Sequence, residues 1–304
     1  MSTILSGVLV VDKPSGPTSH DVVARVRRAL RTPRIGHTGT LDPLATGVLP
    51  LVVGRATRLA SLFSGADKAY LAGVRLGAAT DTYDAASLAG PVPEPPTGLD
   101  AAAIEAALDA FRGPGLQSPP AYSAKKINGV AAYTLARRHE PVQPRAVAVT
   151  ATRLALIGYE AGLARIEVEC SAGYYVRSLA HELGLRLGCG AHLESLRRVR
   201  AGAFDLGTAV PLAEIEAMGG GAAARLVPME QLLPHLPAVV LNSRGVRRAS
   251  HGNDVVPEDL AGPAPAVVEA PEAARWRLVD EAGALLGIAA RTPGGLLHPV
   301  VVLV

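Results

Sequence analysis

The sequence has few of the residues that build disulfide frameworks and metal clusters. Its 304 residues include only two cysteines, Cys170 and Cys189, which form neither a disulfide framework nor a cysteine-rich zinc site. Long apolar runs are also lacking, because the longest ones, such as residues 48–53, fall far short of the roughly 20 residues that span a bilayer. Residues 1–9 carry neither the basic lead-in nor the cleavage motif of a signal peptide. These absences predict a protein of the reducing cytoplasm without a membrane segment.

The chain does have enough apolar sequence for a sizeable core. Hydrophobic residues make up 49% of it, which argues against a disordered protein. A length of 304 residues suits one large domain plus a small one. From about Pro237 the sequence shifts to short β-like segments, so we predict domains at 1–236 and 237–304.

Net charge is small, at +3, but it is unevenly distributed. Residues 1–60 hold eight Lys or Arg against three acids, whereas acids collect at 81–109. Two further basic groups follow, Lys125, Lys126, Arg137, Arg138 and Arg145, then Arg197, Arg198 and Arg200. Ordinary solvated surface explains any single cluster. Together the clusters favour a surface that binds a polyanion such as a nucleic acid.

Periodicity predicts a mixture of strands and helices. Apolar runs and alternation predict strands at 7–11, 48–53, 68–76, 142–156 and 163–171. Helices are predicted from an N-cap at Ser19, and at 56–63, 100–111, 130–138 and 177–187. Proline and glycine content predicts loops at 90–98 and 113–124, and residues 247–256 are predicted to be β-like.

A single acid, Asp42, stands in a stretch from Arg34 to Leu51 that is rich in glycine, proline and threonine. Pro43 disfavours helical geometry at Asp42, so we predict a stiff loop that presents one carboxylate. A lone carboxylate among basic residues stays ionised and can act as a nucleophile or base. Taken in isolation, an Asp-Pro pair is also common where a turn begins.

The whole stretch resembles the catalytic motif of the TruB family, the bacterial tRNA pseudouridine-55 synthases. The family pattern is G-H-T-G-x-L-D-P-x-A-x-G-x-L-P. It is matched at Gly36, His37, Thr38, Gly39, Leu41, Asp42, Pro43, Ala45, Gly47, Leu49 and Pro50. Further likenesses lie at 7–19, 67–82, 119–126, 173–177 and 191–198, so the resemblance covers roughly residues 7–200.

The resemblance implies a role for individual residues. Asp42 is the nucleophile, Arg177 pairs with it, and Tyr70 stacks on the target base. Tyr175 and Leu196 shape the uracil pocket, and Tyr174 departs from the family's usual threonine. His37 fills the space that the base vacates, Arg58 reaches phosphate or anchors the loop, and Lys126 belongs to a segment that approaches the tRNA.

The resemblance also implies a fold and an activity. The expected fold is α+β, a mixed and mainly antiparallel sheet with flanking helices, followed by a small β-barrel-like PUA module that binds RNA. The expected enzyme isomerises the T-arm uridine of tRNA, which it must first flip out of the folded arm. Whether Asp42 attacks C6 of the base or C1′ of the ribose stays open. We expect no cofactor, no metal, no membrane and no obligate protein partner, hence a monomer.

Other functions are less well supported by the sequence. A non-catalytic RNA-binding or tRNA-folding protein would use the same basic clusters, but it has little use for acids near phosphate. A small-molecule hydrolase based on Asp42 would lack a visible second carboxylate or base. The aspartyl-phosphate motif of ion pumps needs an acid where this chain has Gly36. The zinc motif His-Glu-x-x-His begins at His181 and Glu182 but is incomplete, because the position of its second histidine is occupied by Leu185.

Overall fold

The computed structural model describes residues 5–123, 125–127, 130–132, 135, 138, 144–262 and 274–304. The helices within these residues are α1 (Ser19–Leu30), α2 (Ala60–Ser64), α3 (Ala101–Leu108), α4 (Val176–Arg186), α5 (Leu212–Met218) and α6 (Ser243–Ser250). The strands are β1 (Gly7–Lys13), β2 (Ile35–His37), β3 (Thr46–Val53), β4 (Lys68–Leu76), β5 (Gly113–Gln117), β6 (Lys126–Ile127), β7 (Val130–Ala131), β8 (Val147–Glu160), β9 (Leu163–Cys170), β10 (Ala191–Ala201), β11 (Phe204–Asp205), β12 (Val210–Pro211), β13 (Val227–Pro228), β14 (Ala238–Leu241), β15 (Arg275–Asp280), β16 (Leu285–Arg291) and β17 (Leu297–Val302).

One large sheet organises the first 236 residues. Its strand order is β12-β1-β3-β10-β4-β9-β8-β5. Neighbours are antiparallel except for the pairs β1/β12 and β3/β10. This confirms the predicted α+β class with a mixed and mainly antiparallel sheet. The parallel pair sets Gly47 beside Arg198, and the antiparallel pair β4/β10 sets Tyr70 on the other side of Arg198.

Three local predictions were wrong. The cap of α1 is Thr18 rather than Ser19, because Thr18 and Asp21 exchange hydrogen bonds in a capping box. Residues 113–117 form β5 instead of a loop, since Pro114 is tolerated in an edge strand that pairs only with β8. Residues 247–250 belong to helix α6, which Asn242 caps, and are not β-like. In the helix predicted at 130–138, residues 130–131 form β7 and residues 132 and 135 are helical, while 133–134 and 136–137 lie outside the described residues.

Strands β1 and β3 are buried on both faces. One face, with Leu9, Leu49 and Leu51, packs in the main core with the apolar side of α1, which carries Val22 and Val26. The side chains of the opposite face belong to a second apolar cluster. Buried strands of this kind read as continuous apolar runs, which is why their sequences were easy to recognise.

The second cluster joins the large sheet to the C-terminal unit. It contains Val8, Val10, Val48, Val52, Ala56 and Leu59 together with Val279, Leu285, Ile288 and Leu303. The C-terminal sheet has the order β14-β15-β16-β17, and the described strands form an open sheet that does not close into a barrel. A unit that shares a core with its neighbour is not energetically independent of it.

No helix within the described ranges is both long and apolar enough to cross a membrane.

We expect Ile288→Ala, in the shared cluster, to destabilise the whole chain. The side chain is 0% exposed, and removing it should cost roughly 2–5 kcal/mol through lost burial and a cavity. Because the cluster bridges both units, thermal unfolding monitored by circular dichroism should remain one transition that moves to lower temperature.

The matched control is Val300→Ala on β17, where the side chain is 47% exposed, and its effect should stay within about 0.5 kcal/mol. Two separate transitions, with only the C-terminal one shifted, would contradict the coupling.

Candidate active site

Asp42 lies on a loop of residues 38–45 that joins β2 to β3. Ser19, the first residue of α1, holds the loop next to Asp42. Its hydroxyl donates to the Leu41 carbonyl at 3.0 Å and accepts from the Leu41 amide at 2.8 Å. A loop pinned through its backbone at this point presents Asp42 in a fixed position.

Two buried cations hold the same loop by its carbonyl groups. Lys13 Nζ donates to Ala45 O at 2.7 Å and to Pro43 O at 3.2 Å, and Arg198 donates to Val48 O at 2.6 Å and to Gly39 O at 3.1 Å. Burial lowers the pKa of Lys13 to about 8, which still leaves the ammonium mostly charged at neutral pH. Lys13 is therefore an anchor of the loop.

Gly47 is required by the way the loop enters β3. Its φ is +99°, and a Cβ would lie 2.2 Å from the Arg198 carbonyl oxygen. Only glycine permits both this conformation and this close approach of the parallel strand β10.

Arg177, near the start of α4, contacts the carboxylate of Asp42. Nη2 donates to Oδ1 at 3.2 Å, and Nε lies 2.9 Å from Oδ2 although its N–H is out of line for a hydrogen bond. The side chain of Arg177 is only 5% exposed, against 34% for Asp42. The guanidinium also donates to Thr82 O at 3.0 Å and to Tyr122 O at 2.9 Å.

A second carboxylate, Asp84, shares this guanidinium, and sequence reasoning missed it. Its Oδ2 lies 3.6 Å from Arg177 Nη1. The other oxygen accepts from the Thr82 hydroxyl at 2.6 Å and from the Ala86 amide at 3.0 Å. Asp42 is isolated in the sequence, but tertiary folding brings Asp84 to the same partner. The two acids are 42 positions apart, and no local pattern connects them.

The carboxyl of Asp42 does not have the environment that the sequence predicted. Burial raises its pKa above the ordinary value, Arg177 opposes the rise, and the negative charge of Asp84 adds to it. The sequence predicted a carboxylate that basic neighbours keep ionised, and the structure adds burial and a second acid that both act in the opposite direction on its pKa. A raised pKa also makes the ionised form a stronger base.

Asp42 opens into a cavity of about 960 Å³, large enough for a nucleotide. Tyr70 on β4, Leu196 on β10 and Tyr175 at the start of α4 line it, together with Arg177. Burial raises the pKa of Tyr70, so its hydroxyl stays protonated at neutral pH. The Tyr175 backbone is fixed by both groups of the Gln117 amide, at 2.7 and 3.0 Å.

The remaining predicted site residues are placed differently. His37 does not line the cavity but contacts the edge of His20, which does, and burial lowers the pKa of His37. Arg58 donates to the Val302 carbonyl at 2.5 Å, so in this structure it joins the two units. The side chain of Lys126 lies outside the described residues.

The third basic cluster is not a free cationic surface. Arg198 is buried, Arg197 pairs with Asp12 at 2.7 Å and Arg200 with Glu169 at 2.8 Å. In the C-terminal unit, Arg244 and Arg248 both pair with the buried Asp259 at 3.1 Å. Arg197, Arg200, Arg244 and Arg248 therefore each have an acidic partner within the fold, whereas Arg198 donates to backbone carbonyls. The polyanion-binding surface inferred from the basic clusters stays a prediction.

Among the described residues, no three His, Cys, Asp or Glu side chains are grouped so that they could hold a metal ion. The chemistry visible in the cavity is that of two carboxylates, Asp42 and Asp84, which share the guanidinium of Arg177. Such a site can carry out nucleophilic attack by Asp42 on a planar ring or on an adjacent sugar carbon.

Three family descriptions match successive parts of the chain. Residues 27–176 match the TruB family pseudouridylate synthase N-terminal domain. Residues 177–234 match the tRNA pseudouridylate synthase B C-terminal domain, and residues 237–303 match the C-terminal domain of pseudouridine synthase II TruB.

Whole-chain relatives and solved structures agree with these matches. The tRNA pseudouridine synthase B of Solibacter usitatus is 43% identical, over 98% of this chain and 100% of that protein. The one from Stutzerimonas stutzeri is 40% identical, over 97% and 94%. A chain in the crystal structure of a Cbf5-Nop10-Gar1 complex superposes with a TM-score of 0.72 at 27% identity, covering 94% of this chain and 78% of that one. The chain described here belongs to the TruB family of pseudouridine synthases.

Proposed function

We propose that this protein is a tRNA pseudouridine synthase that isomerises the T-arm uridine, position 55, to pseudouridine. The observation that carries the proposal is the Asp42–Arg177 pair at the wall of a nucleotide-sized cavity. Full-length relatives named tRNA pseudouridine synthase B support the substrate class. The direct test is incubation with an unmodified tRNA transcript, followed by mapping of pseudouridine.

The reaction starts with a uridine that has left the folded arm. Base flipping brings the uracil into the cavity, where the ring of Tyr70 stacks on it and Leu196 and Tyr175 bound its edges. Asp42 attacks C6 of the base or C1′ of the ribose while Arg177 holds the carboxylate in place. The bond between C1′ and N1 breaks, the uracil rotates, and a bond from C1′ to C5 forms. The bond between Asp42 and the substrate carbon breaks as well, which returns the free carboxylate. N1 gains a proton and C5 loses one, so no redox partner or group donor is consumed.

The same proposal includes the context in which the enzyme acts. We place the domain boundary at 236/237, supported by the limits of the matched families, and assign an RNA-binding role to the C-terminal unit. We expect a cytoplasmic monomer that needs no protein partner. A purely tRNA-binding function is disfavoured, because binding alone does not require a carboxylate set against a buried arginine inside the cavity.

We expect Asp42→Asn to abolish isomerisation while tRNA still binds. The amide keeps the shape of the carboxylate but is a far poorer nucleophile, so turnover should fall by more than about 1,000-fold. Pseudouridine mapping measures the product, and filter binding measures the affinity. Asp109→Asn, at an exposed carboxylate, is the control. Product formation by the Asp42 variant at the wild-type rate would reject the nucleophile.

We expect Arg177→Lys to lower kcat by about 100-fold and to change tRNA affinity little. Lysine keeps the charge but cannot reach Asp42 and the carbonyls of Thr82 and Tyr122 at the same time, so the nucleophile loses its alignment. Single-turnover kinetics at saturating tRNA separate the two effects. An unchanged kcat would mean that Arg177 is needed only for packing.

The acid limb of the pH profile should report on Asp42. Isomerisation requires the carboxylate, so kcat/KM should fall as pH drops through a pKa above the ordinary value for Asp. Asp84→Asn removes a negative charge that raises this pKa, and the limb should move to lower pH.

The exposed Asp81 provides the control, since Asp81→Asn should leave the limb in place. A limb that moves to higher pH in the Asp84 variant would contradict the electrostatic assignment.

A further inference from the structure

Residues 82–84 meet helix α4 through all three of their positions. The Thr82 carbonyl accepts from Arg177 Nη1 at 3.0 Å, and the Asp84 carboxylate lies 3.6 Å from the same nitrogen. Between them, the ring of Tyr83 stacks on the ring of His181, with centroids 3.8 Å apart and planes 7° from parallel. The segment thus contacts α4 at an arginine and at a histidine.

Arg177 and His181 are four residues apart on α4, which places them one turn apart on the same face of the helix. Because residues 82–84 contact both Arg177 and His181, the segment cannot slide along the helix or rotate about it without losing one of these contacts. The aromatic stack supplies the second point of attachment, and the polar contacts to Arg177 supply the first.

Tyr83 adopts a conformation that aromatic residues seldom use. Its φ is +61°, in the left-handed region, which costs about 1–2 kcal/mol for a residue with a Cβ. The amide of Tyr83 donates to Thr80 O at 3.1 Å, and its carbonyl accepts from Leu193 N at 2.9 Å, so the turn is held on both sides. This turn directs the ring to His181 while the neighbours on either side contact Arg177.

His181 contributes the face of its ring to this contact. His181 Nδ1 is buried, and it finds no hydrogen-bond partner among the residues that the structure describes. Neither His181 nor Tyr83 lines the cavity, so both rings lie outside the space assigned to the nucleotide. Any effect of this pair on the reaction must pass through residues that do line the cavity.

We propose that Tyr83 and His181 are positioning residues whose stack keeps Thr82 and Asp84 on Arg177, and thereby keeps Asp42 aligned for attack. The proposal rests on the isomerase function assigned to this cavity. Asp42 is faced by Arg177 from α4, by Lys13 from β1 and by Asp84 from this segment. If the stack is lost, Asp84 can leave the guanidinium, which is then free to rotate away from Asp42.

The experiment compares ring-removing with ring-keeping substitutions in the full chain. Tyr83→Asn removes the ring without adding backbone strain, since asparagine tolerates positive φ, and His181→Ala removes the other ring. Tyr83→Phe and His181→Phe keep a stacking ring. Leu185→Ala is the matched control, because it lies one turn further along α4 and is 62% exposed.

Steady-state kinetics on an unmodified tRNA transcript give kcat and KM for each variant, and thermal denaturation shows which variants are folded. We expect both ring-removing variants to lose roughly 10- to 100-fold in kcat with KM within about twofold of wild type. The two phenylalanine variants and the Leu185 control should keep the wild-type kcat. The double variant Tyr83→Asn/His181→Ala should lose no more than the worse single variant, because the two rings act as one contact.

Two results would overturn the proposal. One is a wild-type kcat in a folded Tyr83→Asn or His181→Ala variant. The other is a phenylalanine variant as slow as its ring-removing counterpart, which would assign the effect to the lost polar atom and not to the stack. A wild-type protein that forms no pseudouridine would instead reject the function itself, so the two failures are distinguishable.

Discussion

The arrangement of the active cavity depends on one buried guanidinium. Arg177 is almost fully removed from water, so every N–H that it carries needs a protein acceptor, and its charge needs a nearby acid. The acceptors come from three separate segments: the loop that carries Asp42, the segment 82–84 and Tyr122. Because all three segments must supply acceptors to the same guanidinium, their positions relative to α4 are fixed.

The central strands connect the loop of Asp42 to the rest of the molecule. Strand β3 receives the loop of Asp42, pairs with β10 through Gly47, and packs both its faces in apolar cores. The buried cations Lys13 and Arg198 donate hydrogen bonds to carbonyl groups of the loop. The second core continues into the C-terminal unit, which therefore packs against the face of the large sheet opposite the main core. Rigid support of this kind keeps a nucleophile within the narrow geometry that its reaction tolerates.

The sequence alone determined those features that local patterns encode. The apolar runs of β1, β3 and β4 and the apolar stripe of α1 place these elements within a few residues of their bounds. Asp42 was recognised because its neighbours over more than a dozen positions form one motif. Tyr70, Arg177, Tyr175 and Leu196 were named from further motifs, and the fold brings all four to one cavity with Asp42. Patterns of this kind can be recognised in a sequence because backbone geometry and side-chain alternation repeat over a few residues.

Only the tertiary structure decided how charges and rings are partnered. Arg197, Arg198 and Arg200 form a basic cluster in the sequence, yet in the structure Arg198 is buried and the other two pair with acids of β1 and β9. The register of β10 shifts between Arg198 and Arg200, so strand alternation alone does not give this arrangement. Arg58, Asp84 and His181 likewise find their partners on distant segments. The pKa of Asp42 follows from burial and from Asp84, neither of which is visible near it in the chain. Electrostatic and stacking energies depend on distances through space, and a sequence specifies those distances only after it has folded.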